Sequence, residues 1–290
     1  MRTLFIVNPA AGKRTATDED LDAATELLRR AGFALERVET GDEHPTTAEL
    51  ARRAVAEGFE ACIVAGGDGT VQSAARELMG SKVTLGVLPF GTYMNVAHGM
   101  GLPLRPLDAA RVIARRDVRR FDAGTVHDRV FFEIAGAGLD AELFGAARHA
   151  EAHRWRHALR RIWRYATHGT HRVAIDVDGK RHAHRVMQVL VLNSPWYGWG
   201  LLLEPDATMD DGMLDIAVFP RMGRIALLRG LIALMLGRPL PQQPLRYQGS
   251  RIVMECDAPV TIHADGRTCG TLPATFECRP AALAVFACRE

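Results

Sequence analysis

The sequence predicts an α/β fold in two parts: an N-terminal doubly wound parallel sheet followed by a C-terminal antiparallel β-sandwich. The first observation is that short apolar strands alternate with amphipathic helices from residue 3 to about residue 122. The second is that the rest of the chain is rich in strands, with a hairpin turn at Asp178-Gly179. The predicted domains are therefore residues 1–122 and 123–290.

Four strands and three helices are predicted in the first part. The second helix has a capping box, Thr46-x-x-Glu49, at its start. Strands that alternate with helices of this length form a parallel sheet covered on both faces, and such sheets bind ligands at the carboxyl ends of their strands. The predicted strands are residues 3–7, 34–39, 61–65 and 83–88, and the predicted helices are residues 18–30, 46–58 and 71–79.

The second part is predicted to be an antiparallel sandwich or a distorted barrel, with helical insertions near residues 141–168 and 221–237. Apolar and polar side chains alternate on both sides of the Asp178-Gly179 turn, which is typical of a hairpin. The predicted strands are residues 172–177, 186–192, 214–219, 251–256, 260–264, 274–277 and 283–287.

Composition indicates a soluble globular enzyme. The 290 residues are 48% hydrophobic and 24% charged, and the net charge of +2 gives no reason to expect a nucleic-acid partner. The five cysteines include no CxxC pair, which favours reduced thiols in a cytoplasmic protein. No signal peptide is predicted, and the apolar segment at residues 225–236 is too short to span a bilayer.

The most informative segment is Gly66-Gly67-Asp68-Gly69-Thr70, here called the glycine corner, which directly follows a buried strand. Glycines let the backbone approach a bulky anion, and the next helix aims its unpaired N–H groups at the same spot. A carboxylate does not bind phosphate directly, so Asp68 indicates a metal ion or a hydroxyl to be oriented. Asp68 or Thr70 can also cap the helix, which is compatible with catalysis. We predict a nucleotide-phosphate site here.

Three other loops end at the same predicted sheet edge. Asn8-Pro9-Ala10-Ala11-Gly12-Lys13 follows the first strand, and Lys13 is expected to contact a nucleotide phosphate as a point charge, with Asn8 beside it. Thr40 follows the second strand, and Pro89-Phe90-Gly91-Thr92 follows the fourth, where Thr92 is expected to bond a phosphate oxygen or the base. The alternative is that these are ordinary turns with capping residues. Convergence of four loops favours a single ligand crevice.

Two other glycine patterns are given little weight. The sequence contains no Walker A motif, so a P-loop protein is not expected. Residues 136–141 match GxGxxA, but no second strand ending in an acid lies about twenty residues on. The dinucleotide-binding interpretation is therefore treated as a coincidence.

Residues 204–215, here called the acidic loop, are dense in carboxylates. Hard cations such as Mg²⁺ prefer these oxygens, while the alternative is a solvated acidic turn. Asp265-Gly266 is predicted to be a hairpin turn.

Residues 143–172 combine arginines with Trp155, Trp163 and Tyr165. This segment fits either an interface with anionic lipid headgroups or a solvated helix packed on the sandwich.

Taken together, these motifs resemble the diacylglycerol kinase catalytic-domain family, specifically the soluble bacterial lipid kinases, over almost the whole chain. The order and spacing of the pieces are more specific than any one of them. The matching pieces are Asn8-Pro9-x-x-Gly12, the glycine corner, Leu88-Pro89-Phe90-Gly91-Thr92, Gly101-Leu102-Pro103, Pro205-Asp206-Ala207, Asp211-Gly212-x-Leu214-Asp215, Ala264-Asp265-Gly266 and Gly270-Thr271-Leu272-Pro273.

The resemblance implies an N-terminal domain that binds ATP and a C-terminal sandwich that supplies the lipid site. It implies a Mg²⁺ ion held by Asp211 with the carbonyls of Thr208 and Met213. It also implies that Asp265 lies across the cleft near the γ-phosphate and acts on the lipid hydroxyl. The residues it implies for contact with ATP are Thr40, Gly66, Gly67, Asp68, Gly69, Thr70, Val71, Gln72 and Thr92.

The sequence departs from the family pattern at three positions. Arg267 stands where the family usually has the glutamate of an Asp-Gly-Glu run, so the base is expected to be Asp265. Asn95 stands where the family's Gly-Thr-x-Asn-Asp run has an acid, which removes a carboxylate near the nucleotide. His98 replaces a usual arginine.

The expected function is an ATP- and Mg²⁺-dependent kinase of a diacylglycerol-like or other long-chain lipid, in phospholipid metabolism. The expected location is cytoplasmic, with peripheral contact at the inner membrane face through the basic aromatic segment. Two alternatives are a nucleotide- or lipid-binding pseudokinase and an NAD-kinase-like enzyme with a soluble substrate. The sequence leaves open which lipid is used and whether the protein forms a homodimer.

Overall fold

The computed structural model describes residues 1–11, 17–41, 44–138, 170–197, 200–220 and 243–288, together with positions 229 and 233. The first half of this part alternates strands and helices, and the second half is composed of strands. In chain order, the elements are β1 (Arg2–Val7), α1 (Asp18–Arg30), β2 (Ala34–Glu39), α2 (Thr47–Ala56), β3 (Ala61–Gly66), α3 (Asp68–Leu78), β4 (Thr84–Pro89), α4 (Asn95–Gly99), α5 (Pro106–Arg115), β5 (Val118–Val126), β6 (Arg129–Phe131), β7 (Ile134–Gly138), β8 (His171–Val177), β9 (Lys180–Leu192), β10 (Trp196–Tyr197), β11 (Leu201–Leu202), β12 (Leu214–Pro220), β13 (Leu245–Gly249), β14 (Arg251–Cys256), β15 (Thr261–Ala264), β16 (Arg267–Thr271) and β17 (Ala274–Phe286).

The first lobe is the predicted parallel sheet, with strand order β2-β1-β3-β4. Its strands β1, β3 and β4 are buried on both faces, while the edge strand β2 is largely exposed; α1 and α5 pack against one face of the sheet, and α2 and α3 against the other. Capping boxes start α1 at Thr17 and α2 at Thr46, where each threonine accepts the N–H of an acid three residues later. The doubly wound architecture predicted from the sequence is confirmed.

The second lobe is the predicted antiparallel, sandwich-like assembly. Strands β8 and β9 form the predicted hairpin, and its turn has the positive φ angles expected of Asp178 (48°) and Gly179. Strand β9 also pairs with β7 and β12, while β14 pairs with β8. The inward-facing valines, isoleucines and phenylalanines of the second lobe form a second hydrophobic core.

The last strand ties the two lobes together. The two strands predicted at residues 274–277 and 283–287 are one strand, β17, with an irregularity between Arg279 and Leu283. This strand pairs antiparallel with β5 and β14, and parallel with β4 through Val285 and Leu85. Strand β5 itself runs through residue 122, the predicted domain boundary. Fifteen strands of the described chain therefore form one continuous sheet.

Three sequence predictions lie outside the described residues: Lys13, most of the basic aromatic segment, and the apolar segment at residues 225–236 apart from two positions. Within the part of the chain that the structure describes, no helix has both the length and the apolar character needed to cross a membrane.

Asp122 fastens the acidic loop to both β5 and β17. Its buried carboxylate accepts the N–H groups of Gly212 (2.6 Å) and Ala281 (2.7 Å), and its own N–H donates to the carbonyl of Met209 (2.6 Å). Burial raises the pKa of this carboxyl above its ordinary value. The side chain therefore satisfies two backbone donors that would otherwise be left without an acceptor.

We expect Asp122→Ala to lower the free energy of unfolding by about 2–4 kcal/mol, because two backbone N–H groups lose their acceptor. Chemical denaturation measures the change. The matched control is Asp210→Ala in the same loop, which removes a partly exposed ion pair with Arg119 and should cost no more than about 1 kcal/mol. Equal effects of the two substitutions would contradict the assignment.

Candidate active site

The loops after β1, β3 and β4 meet at the carboxyl edge of the parallel sheet. The amide of Asn8 donates to the hydroxyl of Thr70 (2.9 Å), and its oxygen accepts the N–H of Ala10 (3.0 Å). Gly91 lies so close to Gly67 that a Cβ on Gly91 would stand 2.7 Å from the Cα of Gly67. The close approach requires glycine at position 91.

The start of α3 differs from the starts of α1 and α2. Gly67 is the residue before the helix, with extended backbone (φ −87°, ψ −178°), and no side chain among the described residues caps the helix there. The helix begins with Asp68 and the exposed Gly69, where an added Cβ would meet no atom within 4 Å. An uncapped N-terminus of this kind presents backbone donors and a partial positive charge to an anion.

Asp68 joins the glycine corner to α4. Its Oδ1 accepts the N–H of Val96 (3.1 Å), close to the start of α4. Burial raises the pKa of this carboxyl, and hydrogen bonds from the backbone of Val96, Asn95 and Met94 oppose that rise. The side chain is partly exposed, so it combines a structural hydrogen bond with access from solvent.

A cleft of about 720 Å³ opens beside the loop after β1. It reaches from Asn8 and Ala65, beside the glycine corner, to the first turn of α1 and the end of β2. Thr40 follows β2 immediately, is buried, and donates its N–H to the carbonyl of Val7 (2.9 Å). The volume suits a ligand of nucleotide size, and Asn8 and Ala65 are the lining residues that adjoin the glycine corner.

The structure separates the predicted nucleotide residues into two groups. Thr92, next to Gly91, is exposed at the same edge. The side chains of Val71 and Gln72 are buried, about one helical turn further along α3 than Asp68 of the glycine corner. Val71 joins the hydrophobic core, and Gln72 faces the second lobe. The residues gathered at the edge are Asn8, Gly66, Gly67, Asp68, Gly69, Thr70 and Thr92.

Asp265 lies next to α3, on the predicted hairpin turn between β15 and β16, but its side chain has no exposed surface. It accepts the N–H groups of Phe132, Glu133 and Ile134 at 3.0–3.2 Å, and the guanidinium of Arg76 at 3.0 Å. With four donors on two oxygens and no exposure, this carboxylate does not contact a hydroxyl from the cleft in this arrangement. It instead holds Arg76 of the first lobe against the backbone before β7.

Glu133 is a site residue that the sequence analysis missed. Its buried carboxylate accepts the amide of Gln72 from α3 (2.6 Å) and the amide of Asn95 from α4 (3.0 Å). Burial raises its pKa well above the ordinary value, and the charges of Asp265 and then Asp68 raise it further. The one signal in the sequence is a single acid inside the apolar run at residues 130–135, where a charged group must find partners.

The predicted metal-binding residues Thr208, Asp211 and Met213 lie together on the exposed acidic loop. Asp211 accepts the N–H of Met213 (2.9 Å) and the amide of Gln248 (2.9 Å). Within the described chain, no three His, Cys, Asp or Glu side chains are placed to hold a metal. The metal site that the resemblance implies, with Asp211 and the carbonyls of Thr208 and Met213, therefore stays a prediction.

Among the described residues, Asp206, Asp211 and Asp215 of the acidic loop form no ion pair, which fits a divalent cation. The pKa of Asp215 is raised to about 6 by burial and by the nearby charges of Asp211, Glu204 and Asp206. Arg246 pairs with Glu204 (2.8 Å), and Arg119 pairs with Asp210 (2.6 Å). A cation with oxygen ligands would lower the remaining repulsion.

The two lobes match two family models in the same order. Residues 2–126 match the diacylglycerol kinase catalytic domain, and residues 133–287 match the YegS C-terminal NAD kinase beta sandwich-like domain. The pair of matched models, in this order, is that of the lipid-kinase type of protein. The chain belongs to the diacylglycerol kinase catalytic-domain family, in its form with a YegS-like second domain.

Similar proteins agree over nearly the full length. A "Diacylglycerol kinase" from Mycobacterium tuberculosis is 29% identical over 97% of this chain and 93% of its own length. A "Diacylglycerol kinase" from Bacillus subtilis is 27% identical over 95% and 92%. A solved diacylglycerol kinase structure from Bacillus anthracis superimposes with a TM-score of 0.76 at 21% identity, covering 98% of this chain and 96% of that one, which shows the shared fold.

Proposed function

We propose that this protein is an ATP-dependent lipid kinase that transfers the γ-phosphate to a hydroxyl of a diacylglycerol-like or other long-chain lipid. The observation that supports it most is the uncapped start of α3 at the glycine corner, joined to the second lobe through Glu133 and Asp265. Membership of a lipid-kinase family supplies the acceptor class.

The nucleotide phosphates would lie at the N-terminus of α3, where Gly69 leaves room for them, and the nucleoside in the cleft beside Asn8. Thr40 and Thr92 would bound this path at the ends of β2 and β4. The lipid oxygen attacks the γ-phosphorus, the bond to the β–γ bridging oxygen breaks, and ADP leaves. Positioning and charge stabilisation account for most of the catalysis in such transfers.

Asp68 is the carboxylate proposed to orient the lipid hydroxyl and accept its proton. It is partly exposed at the helix start, whereas Asp265 is enclosed. The raised pKa of Asp68 favours proton acceptance from an alcohol in the transition state. Asp265 is proposed to position Arg76 and the loop that carries Glu133, rather than to contact substrate.

Mg²⁺ is proposed to bind at two sites. With the nucleotide, it would neutralise phosphate charge. At the acidic loop, Asp211 and the carbonyls of Thr208 and Met213 would hold an ion that organises the loop. Met209 of that loop packs against the end of α4: a Cβ on Gly99 would stand 2.6 Å from the Met209 sulfur. An ordered acidic loop would therefore support α4, the helix that is hydrogen-bonded to Asp68 of the glycine corner.

Transfer of label from γ-labelled ATP to a panel of lipids in mixed micelles tests the function. Label in at least one long-chain lipid supports the proposal. Turnover of NAD with no labelled lipid would favour the NAD-kinase-like alternative. ATP binding in calorimetry without turnover of any lipid tried would indicate a pseudokinase, which Arg267 and the altered loop at Asn95 make worth testing.

An exposed apolar rim is formed by the loop after β4 and the short strands β10 and β11. Tyr93 and Leu202 are 44% and 49% exposed, and the half-buried Trp196 packs against His98 of α4, with ring centroids 4.5 Å apart. Aromatic residues with a polar atom suit the membrane interface. We propose that this rim, made of Tyr93, Trp196 and Leu202, rests on the lipid surface when substrate enters.

The double variant Tyr93→Ser with Leu202→Ser should bind anionic phospholipid vesicles about tenfold more weakly, because two apolar side chains are lost. Vesicle flotation measures the bound fraction, and calorimetry should show unchanged ATP affinity. Val55→Ser, an exposed apolar position on α2, is the control and should leave flotation unchanged. Equal losses in both proteins would contradict a specific rim.

A further inference from the structure

Glu133 closes a ring of contacts between the two lobes. It belongs to the second lobe, just before β7, yet its carboxylate binds the amides of Gln72 on α3 and Asn95 on α4. Its backbone is also fixed: the N–H donates to Asp265, and the carbonyl accepts the N–H groups of Asn193 (3.0 Å) and Ser194 (3.2 Å). The position of this acid is therefore determined by the second lobe.

Both partners of Glu133 are tied to Asp68. Gln72 lies one helical turn after Asp68 on α3, so the two side chains share a helix face. Asn95 opens α4, the helix whose Val96 N–H donates to Asp68. These contacts form a closed ring: Asp68 is bonded to α4, Asn95 of α4 to Glu133, and Glu133 to Gln72, which lies on the same helix as Asp68. A change at Glu133 would therefore reach Asp68 from both sides.

We propose that Glu133 is a positioning residue through which the second lobe sets the orientation of Asp68 and of the nucleotide loops. The inference rests on the proposed function, because it assigns Asp68 a role toward ATP and the lipid hydroxyl. Glu133 acts through Gln72 and Asn95 and is enclosed by them, so it does not contact substrate. Position 95, where the family pattern has an acid, is Asn95 here. The second lobe supplies a carboxylate at this place instead, because Glu133 accepts the hydrogen bond of the Asn95 amide.

The charges around Glu133 explain why the exact placement of the acid matters. Asp265 and Asp68 both approach it closely enough to disfavour a further negative charge, while Arg76 pairs with Asp265. Adding a carboxylate at position 95 would place two acids about 3 Å apart, and two such groups do not ionise together. Exchanging the acid and the amide, by contrast, keeps one of each at the contact.

The test compares four proteins: the wild type, Glu133→Gln, Asn95→Asp, and the double variant that exchanges the two groups. Calorimetry gives the affinity for ATP with Mg²⁺, and kinetics give separate KM values for ATP and lipid. Each single variant should bind ATP roughly tenfold more weakly, the size expected for loss of a charged hydrogen bond. The double variant should return to within about threefold of the wild type, since the acid–amide pair is restored. The KM for lipid should not change.

Rescue by exchange separates positioning from general stability, and thermal unfolding checks that each protein is folded. Single variants that bind ATP like the wild type, or a double variant no better than the worse single one, would overturn the proposal. A wild type that binds ATP but labels no lipid overturns the proposed function only, and the binding cycle still decides the role of Glu133. A wild type that binds no ATP overturns both.

Discussion

Replacing Asp68 by asparagine is expected to lower the rate of phosphate transfer to lipid by about 10²–10⁴-fold, the usual range for loss of a general base. The asparagine oxygen can still accept the N–H of Val96, so α4 keeps its bond to the glycine corner. The charge and the capacity to take a proton are lost. Single-turnover transfer from γ-labelled ATP measures the effect. The dissociation constant for ATP should change by a smaller factor than the transfer rate.

The matched control for Asp68 is Asp108→Asn. Asp108 lies in the first turn of α5 and pairs with Arg111 on the surface, so this substitution also removes an acid from a helix start. Its rate should stay within about twofold of the wild type, because surface pairs of this kind contribute little. If Asp68→Asn transfers phosphate as fast as this control, Asp68 does not have the proposed role.

Replacing Gly69 by alanine is expected to weaken ATP binding without destabilising the fold. A Cβ at this position meets no atom within 4 Å, and alanine is favoured over glycine in a helix by about 0.5–1 kcal/mol. The melting temperature should therefore stay the same or rise. Because the Cβ of a helical residue points toward the helix N-terminus, it would enter the space proposed for phosphate. ATP affinity in calorimetry should fall at least tenfold.

Gly91→Ala provides the contrast. Its Cβ would stand 2.7 Å from the backbone of Gly67 and 2.6 Å from the sulfur of Met94, so the loop after β4 must move. This variant should lose both ATP affinity and about 1–3 kcal/mol of unfolding free energy, as overpacking does. If Gly69→Ala binds ATP like the wild type, the phosphates do not lie at the start of α3.

Local signals carried most of the fold prediction. Helix α1 spans residues 18–30 as predicted, and Thr46 and Glu49 form the predicted capping box. Both follow from periodicity and capping chemistry within a few residues. The convergence of the loops after β1, β3 and β4 was also predictable, because parallel strands end at one sheet edge.

Contacts between distant segments were not predictable in this way. Strand β17 pairs with β4 about 200 residues earlier, and nothing in either strand encodes that partner. The enclosure of Asp265 depends on the backbone near Phe132, which binds both of its oxygens. Glu133 acts through two amides on separate helices, so its role appears only when the lobes are assembled.

A crystal structure with a non-hydrolysable ATP analogue and Mg²⁺ tests the central claim most directly. The account predicts that the terminal phosphate lies within hydrogen-bond distance of the backbone N–H groups at the start of α3, with the nucleoside in the cleft beside Asn8 and the Asp68 carboxylate facing the γ-phosphorus. Phosphates bound elsewhere, with the start of α3 exposed to solvent, would contradict it.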